Sequence, residues 1–136
     1  MMKKNTRIIL FTLSFSLPLA ISAIGASAQD TTVSAYLERR NDQGIVAFCS
    51  SKGLLEADSG QFFKVGTDEI FGDVENTPEA NLHEQKGRDG ISYLQGDEQS
   101  LTDLAAANGV GLEDVCGQYK GQIVLGRMMA KNRAAR

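Results

Sequence analysis

Beyond residue 30 the apolar side chains recur at three- and four-residue intervals. Val33, Tyr36 and Leu37 mark one helical face, and Ile45, Phe48 and Cys49 continue in phase with it. Thr32 stands where an N-cap is needed. Asn41-Asp42-Gln43-Gly44 interrupts the pattern with turn-forming residues, so residues 31–52 read as two helices, or as one helix kinked near Gly44. Ser59-Gly60 punctuates. Residues 61–65, QFFKV, are a short apolar patch that fits a strand or a helical turn. Gly66-Thr67-Asp68 then offers a cap for a short helix carrying Ile70, Phe71 and Val74.

The next start is sharper. Thr77 as N-cap, Pro78 at the first helical position and Glu79 in the first turn are three agreeing signals. The helix they open is polar nearly all round, with Leu82 its one strong apolar residue. It is expected on the surface, ending near Gly87 or Gly90, with His83 in solvent. Ile91-Ser92-Tyr93-Leu94 reads as a brief extended segment. Ser100-Leu101-Thr102-Asp103 is similar to a capping box, with Asp in place of Glu or Gln. Leu101, Leu104 and Ala105 give that helix its buried face, and Gly109 closes it.

A last helix starts near Leu112, where Leu112, Val115, Cys116, Tyr119 and Ile123 share a face. Past Ile123, the residues Val124, Leu125, Met128 and Met129 widen the apolar surface beyond one stripe. Gly117 and Gly121 lie four apart, a spacing that lets another backbone approach. This fits packing against the N-terminal helices; the second reading is a partner or homodimer surface made by Val124, Leu125, Met128 and Met129. The sum is an all-α fold, a small bundle of four to five helices with room for one short extended segment. A single helical domain spans 29–131, and 132–136 form a frayed tail.

The first residues belong to a different grammar. Lys3, Lys4 and Arg7 precede an apolar stretch from Ile8 to Ile24, and Ala26-Ser27-Ala28 is a small-x-small cleavage site. That is a secretory signal peptide over 1–28, cut to leave Gln29 first. The stretch is shorter than the roughly 20 apolar residues that span a bilayer, so no integral membrane protein is expected. The short basic start suits bacterial export, which places the protein in the periplasm.

Export changes the charge. The 17 acidic residues all lie beyond the cut with 11 basic ones, so the remaining chain carries −6. Nucleic acid is therefore excluded as a partner, since phosphate neutralisation supplies most of that affinity. From Glu56 to Asp114 there are 14 acidic residues against Lys64, Lys86 and Arg88, while every charged residue after Asp114 is basic. The acidic stretch would suit a basic partner. The basic end complements a helix C-terminus or touches anionic lipid or another protein.

Two cysteines in an exported chain favour one intramolecular disulfide, Cys49–Cys116, with two free thiols or an intermolecular bridge as the alternatives. The bridge would close a long loop, worth roughly 4 kcal/mol on the chain-entropy model. His83 is the only histidine, so no metal site is expected, and the acids Asp68, Glu69, Asp73 and Glu75 do not have EF-hand spacing. The chain has no G-x-S-x-G, HExxH, P-loop, dinucleotide turn or CxxC. A carboxylate pair could serve a glycosidase, but Trp is absent and aromatics are few. No enzyme, catalytic residue or cofactor is expected.

One segment resembles a known module. Tyr93-Leu94-Gln95-Gly96-Asp97 followed by SLTDLAAANGVGLEDV is similar to the first part of a LysM module, through Gly96, Asp97, Leu101, Leu104, Ala105, Gly109, Val110 and Val115. That family runs a strand, a Gly-Asp turn, two short helices and a second strand, and binds peptidoglycan and related N-acetylglucosamine polymers. Here Glu98-Gln99 intervenes before the helix, and the expected closing helix continues where the second strand should be. The expected function is protein–protein interaction in the periplasm; the resemblance implies the alternative, a peptidoglycan binder through 91–123.

Overall fold

A computed structural model describes residues 25–72 and 76–136, with side chains from Thr31 onward. The expected signal peptide falls mainly on residues outside this range, as does Val74. Six helices and one hairpin follow in order: α1 (Gly25–Ser51), α2 (Ser59–Phe71), α3 (Pro78–Arg88), β1 (Ile91–Leu94), β2 (Asp97–Ser100), α4 (Leu101–Ala107), α5 (Leu112–Gly117) and α6 (Lys120–Ala134). The fold is mostly helical, with a small antiparallel sheet that the sequence showed only by its first strand.

Helix α1 is the axis, about 40 Å long at 1.5 Å per residue. It runs through Gly44 as one helix, so of the two expectations the one of two separate helices is not met. Gly44 is instead where α3 crosses. A Cβ on Gly44 would lie 2.0 Å from the Glu84 carbonyl oxygen, and one on Gly87 would lie 2.1 Å from the Asn41 carbonyl oxygen. Two glycines thus bring two helix backbones into contact, with Ala80 buried on the same side of α3. Asn41, read above as part of a break, is also buried. Its Nδ2 donates to the carbonyls of His83 and Ile91, each at 3.0 Å, and its Oδ1 accepts from the Tyr93 N–H at 3.0 Å. One side chain therefore joins α1 to α3 and β1.

This crossing corrects the reading of α3. It is not a free surface helix, because its Ala80, His83 and Gly87 are buried. Small residues, not large apolar ones, make its packing face, and these leave no hydrophobic stripe to read. His83 is only 7% exposed, with its ring centroid 4.7 Å from that of Tyr93. The caps follow the sequence: the Thr77 hydroxyl accepts from the Ala80 N–H and the Ser100 hydroxyl from the Asp103 N–H.

The core has two lobes along α1. Ile45, Cys49, Leu101, Ala105, Val115 and Cys116 form one; Val46, Phe63 and Ile123 form the other; Leu55 and Tyr119 pack against both. Neighbouring Ile45 and Val46 face different lobes, which widens the buried face of this part of α1 beyond a single stripe. The Cys49–Cys116 disulfide is formed, with Cα atoms 5.7 Å apart, and lies within the first lobe. Gly53 (φ 72°) ends α1 in a Schellman motif: the Leu54 N–H reaches the Cys49 carbonyl and the Gly53 N–H that of Ser50. Gly109 (φ 66°) ends α4 the same way, through Val110 to Ala105 and Gly109 to Ala106.

Two further differences concern single elements. Residues 59–71 form one helix, so Thr67 caps nothing; it is buried and its hydroxyl donates to the Phe63 carbonyl. The expected last helix is two, divided at Gln118-Tyr119. Cys116 is bonded to α1, and the Tyr119 hydroxyl donates to Asp42 of α1 at 2.9 Å. The chain turns there so that α6 can run against α2, where a Cβ on Gly126 would lie 1.8 Å from the Phe62 carbonyl oxygen. Among the described residues no helix is long and apolar enough to cross a membrane.

Candidate functional site

Three exposed large apolar side chains, Val124, Leu125 and Met128, lie on the one helix α6. Ile123 and Gly126 face inward onto Phe62, Phe63 and Leu55. At about 100° per residue, Val124, Leu125 and Met128 then fall together on the side away from that contact. They are 54%, 49% and 58% exposed, and Met129, at the margin, is half-buried. The expectation that these residues pack against the N-terminal helices is therefore corrected for Val124, Leu125 and Met128, because the inward face of α6 is narrow and set by Gly126. Gly117 and Gly121 are not points of close approach either; nothing lies within 4 Å of a Cβ built on them. Gly126 has that role instead.

Charge divides along the same line. Arg127 pairs with Glu56 and, at 2.9 Å, with Asp58, and Arg133 pairs with Glu69. These cations flank the inward side and are neutralised by α2 and the loop before it. Lys120, Lys131 and Arg136 have no ion pair among the described residues. The outward side of α6 is thus three exposed apolar side chains with uncompensated positive charge beside them. An adjoining hollow of about 460 Å³, lined by Leu54, Leu55, Lys120, Ile123, Val124 and Arg127, extends it toward the end of α1.

The other charged clusters are satisfied internally. Arg40 lies in a cleft of about 390 Å³ between α1, α2 and α3. Its guanidinium reaches Glu84 through Nε (3.0 Å) and Nη2 (2.7 Å), the Tyr36 hydroxyl (3.1 Å), Asn76 (2.8 Å) and Asn81 (3.2 Å). Burial opposes its charge, but the bonds to Tyr36 and Glu84 outweigh it and raise its pKa. Burial likewise works against the Glu84 carboxylate, yet Arg88 and Arg40 hold it below its ordinary value. Every donor of Arg40 being engaged, this cluster orients α3 on α1 and has no group left for a ligand. Asp42 is different: burial pushes its carboxyl above the ordinary range, only partly offset by the Tyr119 hydroxyl and Arg39. Burial and the facing Asp42 carboxylate raise Tyr119.

Cys49 and Cys116 are joined and fully buried, a structural pair. Among the described residues no group of three or more His, Cys, Asp and Glu side chains is placed to hold a metal ion. The LysM-like segment adopts β1, β2, α4 and α5, with both strands closed into a hairpin before the helices; Glu98 and Gln99 are inside β2, and α6 follows where that family has its second strand. The chain matches no protein-family model, no curated protein and no solved structure.

Proposed function

We propose that this is an exported helical protein of the bacterial periplasm that works by docking a partner protein on the outward side of α6. The observation that carries the reading is the exposed Val124-Leu125-Met128 stripe beside Lys120 and Lys131, which form no ion pair among the described residues, whereas Arg127 and Arg133 on the other side do. Apolar area on both sides of one helix stabilises the fold only on the covered side; the uncovered side is available for association. The partner's complementary surface is an apolar patch rimmed by carboxylates, a helix with Leu or Phe anchors fitting best. Met128 adds an adaptable contact. The N-terminal signal and the disulfide support the address.

The test is site-specific photocrosslinking in intact cells from Leu125 and from Met128. One discrete adduct is expected, and it should disappear when Lys120 and Lys131 are both changed to Glu. An adduct pattern no different from that of exposed Thr102 would end this reading. N-terminal sequencing of the envelope fraction should begin at Gln29. The LysM-like segment supports a second reading, a wall-polymer binder; enrichment of the protein in sedimented purified peptidoglycan over an unrelated periplasmic protein would put it in place of the first.

A further inference from the structure

The hairpin presents one open strand edge. Gln95 and Gly96, both at positive φ (52° and 93°), make the two-residue turn that joins β1 to β2. The strands pair in the register Ile91↔Ser100 to Leu94↔Asp97, and just beyond it the Leu101 N–H donates to the Gly90 carbonyl at 2.9 Å. That bond fixes the alternation of an antiparallel pair. Gly90, Ser92 and Leu94 turn their backbone groups toward the partner strand, as do Asp97, Gln99 and Leu101. Ile91, Tyr93, Glu98 and Ser100 turn theirs away.

The two outer edges then differ. On β1 the outward Ile91 carbonyl and Tyr93 N–H both meet the Asn41 side chain, each at 3.0 Å. The Asn41 amide stands where a neighbouring strand would, and closes that edge. On β2 the outward groups are the N–H and C=O of Glu98 and the N–H of Ser100. No hydrogen bond among the described residues reaches them, and Asp97, Glu98 and Gln99 are exposed.

Charge decides what pairs there. From Asp89 to Tyr119 the chain carries six acidic residues and no lysine or arginine. Lys86 engages Glu98 on the face that Glu98 shares with Tyr93. Asp97 lies on the opposite face with Leu94 and has no ion pair among the described residues. An acidic strand, β2 of a second copy included, would set carboxylates directly opposite one another, which is destabilising. Charged residues on an edge turn such strands away and leave it open to one of opposite sign.

We propose that the outer edge of β2 binds an extended cationic peptide segment, which adds to the hairpin as a third strand. The segment's backbone exchanges two hydrogen bonds with Glu98 and accepts one from the Ser100 N–H. The residue next to the one opposite Glu98 falls on Asp97's face, where a lysine or arginine meets that carboxylate. The site is separate from the α6 surface and takes the opposite charge.

The experiment is an NMR titration of the isotope-labelled protein with the peptide acetyl-KVKVK-amide, following backbone amides. The Glu98 and Ser100 amide protons should shift, and should exchange with solvent about tenfold more slowly once the peptide is about tenfold above its Kd. The acidic peptide acetyl-EVEVE-amide should leave both unmoved. So should acetyl-KVKVK-amide methylated on every backbone nitrogen, which keeps the charge but donates no main-chain hydrogen bond. Glu98→Pro removes the outward N–H without removing a hairpin bond, the setting in which an edge strand tolerates proline. It should abolish binding while the Ser92 and Leu94 amides stay in place. Glu98→Gln keeps the N–H and should weaken binding by less than about fivefold, the size of an exposed charge effect. Equal binding of the methylated peptide, or by a folded Glu98→Pro hairpin, would show bulk charge attraction only and overturn the proposal. Unmoved Glu98 and Ser100 amides at about 10 mM acetyl-KVKVK-amide would overturn it too. Should Glu98→Pro open the hairpin, the methylated peptide decides alone.

Discussion

The crossing of α1 and α3 makes a prediction whose sign runs against helix propensity. In an isolated helix Gly44→Ala would stabilise by about 1 kcal/mol. Here the new Cβ would meet the Glu84 carbonyl oxygen at 2.0 Å, the Arg88 nitrogen at 2.7 Å and the Gly87 Cα at 2.9 Å. All three are backbone atoms of α3, so no side chain can swing aside. Reaching an ordinary contact of 3.4 Å requires α3 to move away by more than about 1 Å. The three bonds of buried Asn41 span the same junction at 3.0 Å each. Lengthened by about 1 Å they leave hydrogen-bonding range, and each buried group left unpaired costs about 1–3 kcal/mol. Against the 1 kcal/mol of propensity, the net loss is about 2 kcal/mol at the least. For a domain near this size each kcal/mol moves Tm by about 4 °C, so Gly44→Ala should melt at least about 8 °C lower by circular dichroism. The control is Gly66→Ala in α2, where nothing lies within 4 Å of the added methyl; there propensity acts alone and Tm should rise by a few degrees. A Gly44→Ala protein melting at or above the parent would show that the two backbones are not in contact and would refute the crossing.

Two more follow from the core. The disulfide spans 67 residues, for which the loop-entropy relation gives about 4 kcal/mol as an upper figure; Cys49→Ala/Cys116→Ala should lose a large part of this in urea titration, and an unchanged midpoint would refute a stapling role. Asp42, with its pKa raised by burial, binds a proton more tightly folded than unfolded. It therefore opposes folding at neutral pH, and the cost is relieved as pH falls through its raised folded value toward the ordinary Asp range. Asp42→Asn, which can still accept from Tyr119, should stabilise more at pH 7 than near pH 4; a Tm difference independent of pH would count against this.

What could be read from the chain alone were the features whose cause lies within a few residues. Thr77-Pro78-Glu79, Ser100 with Asp103, and Gly109 each satisfy backbone groups of their own turn, and the structure uses them as expected. The inward set Val115, Cys116 and Ile123 was also legible, because helical spacing alone puts these residues on one face. So was the excess of apolar residues at Val124, Leu125 and Met128, although not which way they point. Their direction depends on Gly126, whose importance comes from the Phe62 carbonyl opposite it. The strand β2 was missed because its Asp97-Glu98-Gln99 are all exposed and carry no alternation of apolar residues. His83 was read as solvated because α3 shows no hydrophobic stripe, yet Ala80 and Gly87 pack it by being small. Gly44 is the plainest case. A glycine in sequence can mean a bend or a point of contact, and only the arrival of Gly87 across the helix axis decides between them. The sequence by itself determined the local stops and starts at Thr77, Ser100 and Gly109 and favoured the Cys49–Cys116 bridge; the tertiary structure alone decided which faces are covered, since burial is a property of two surfaces and a chain shows them one at a time.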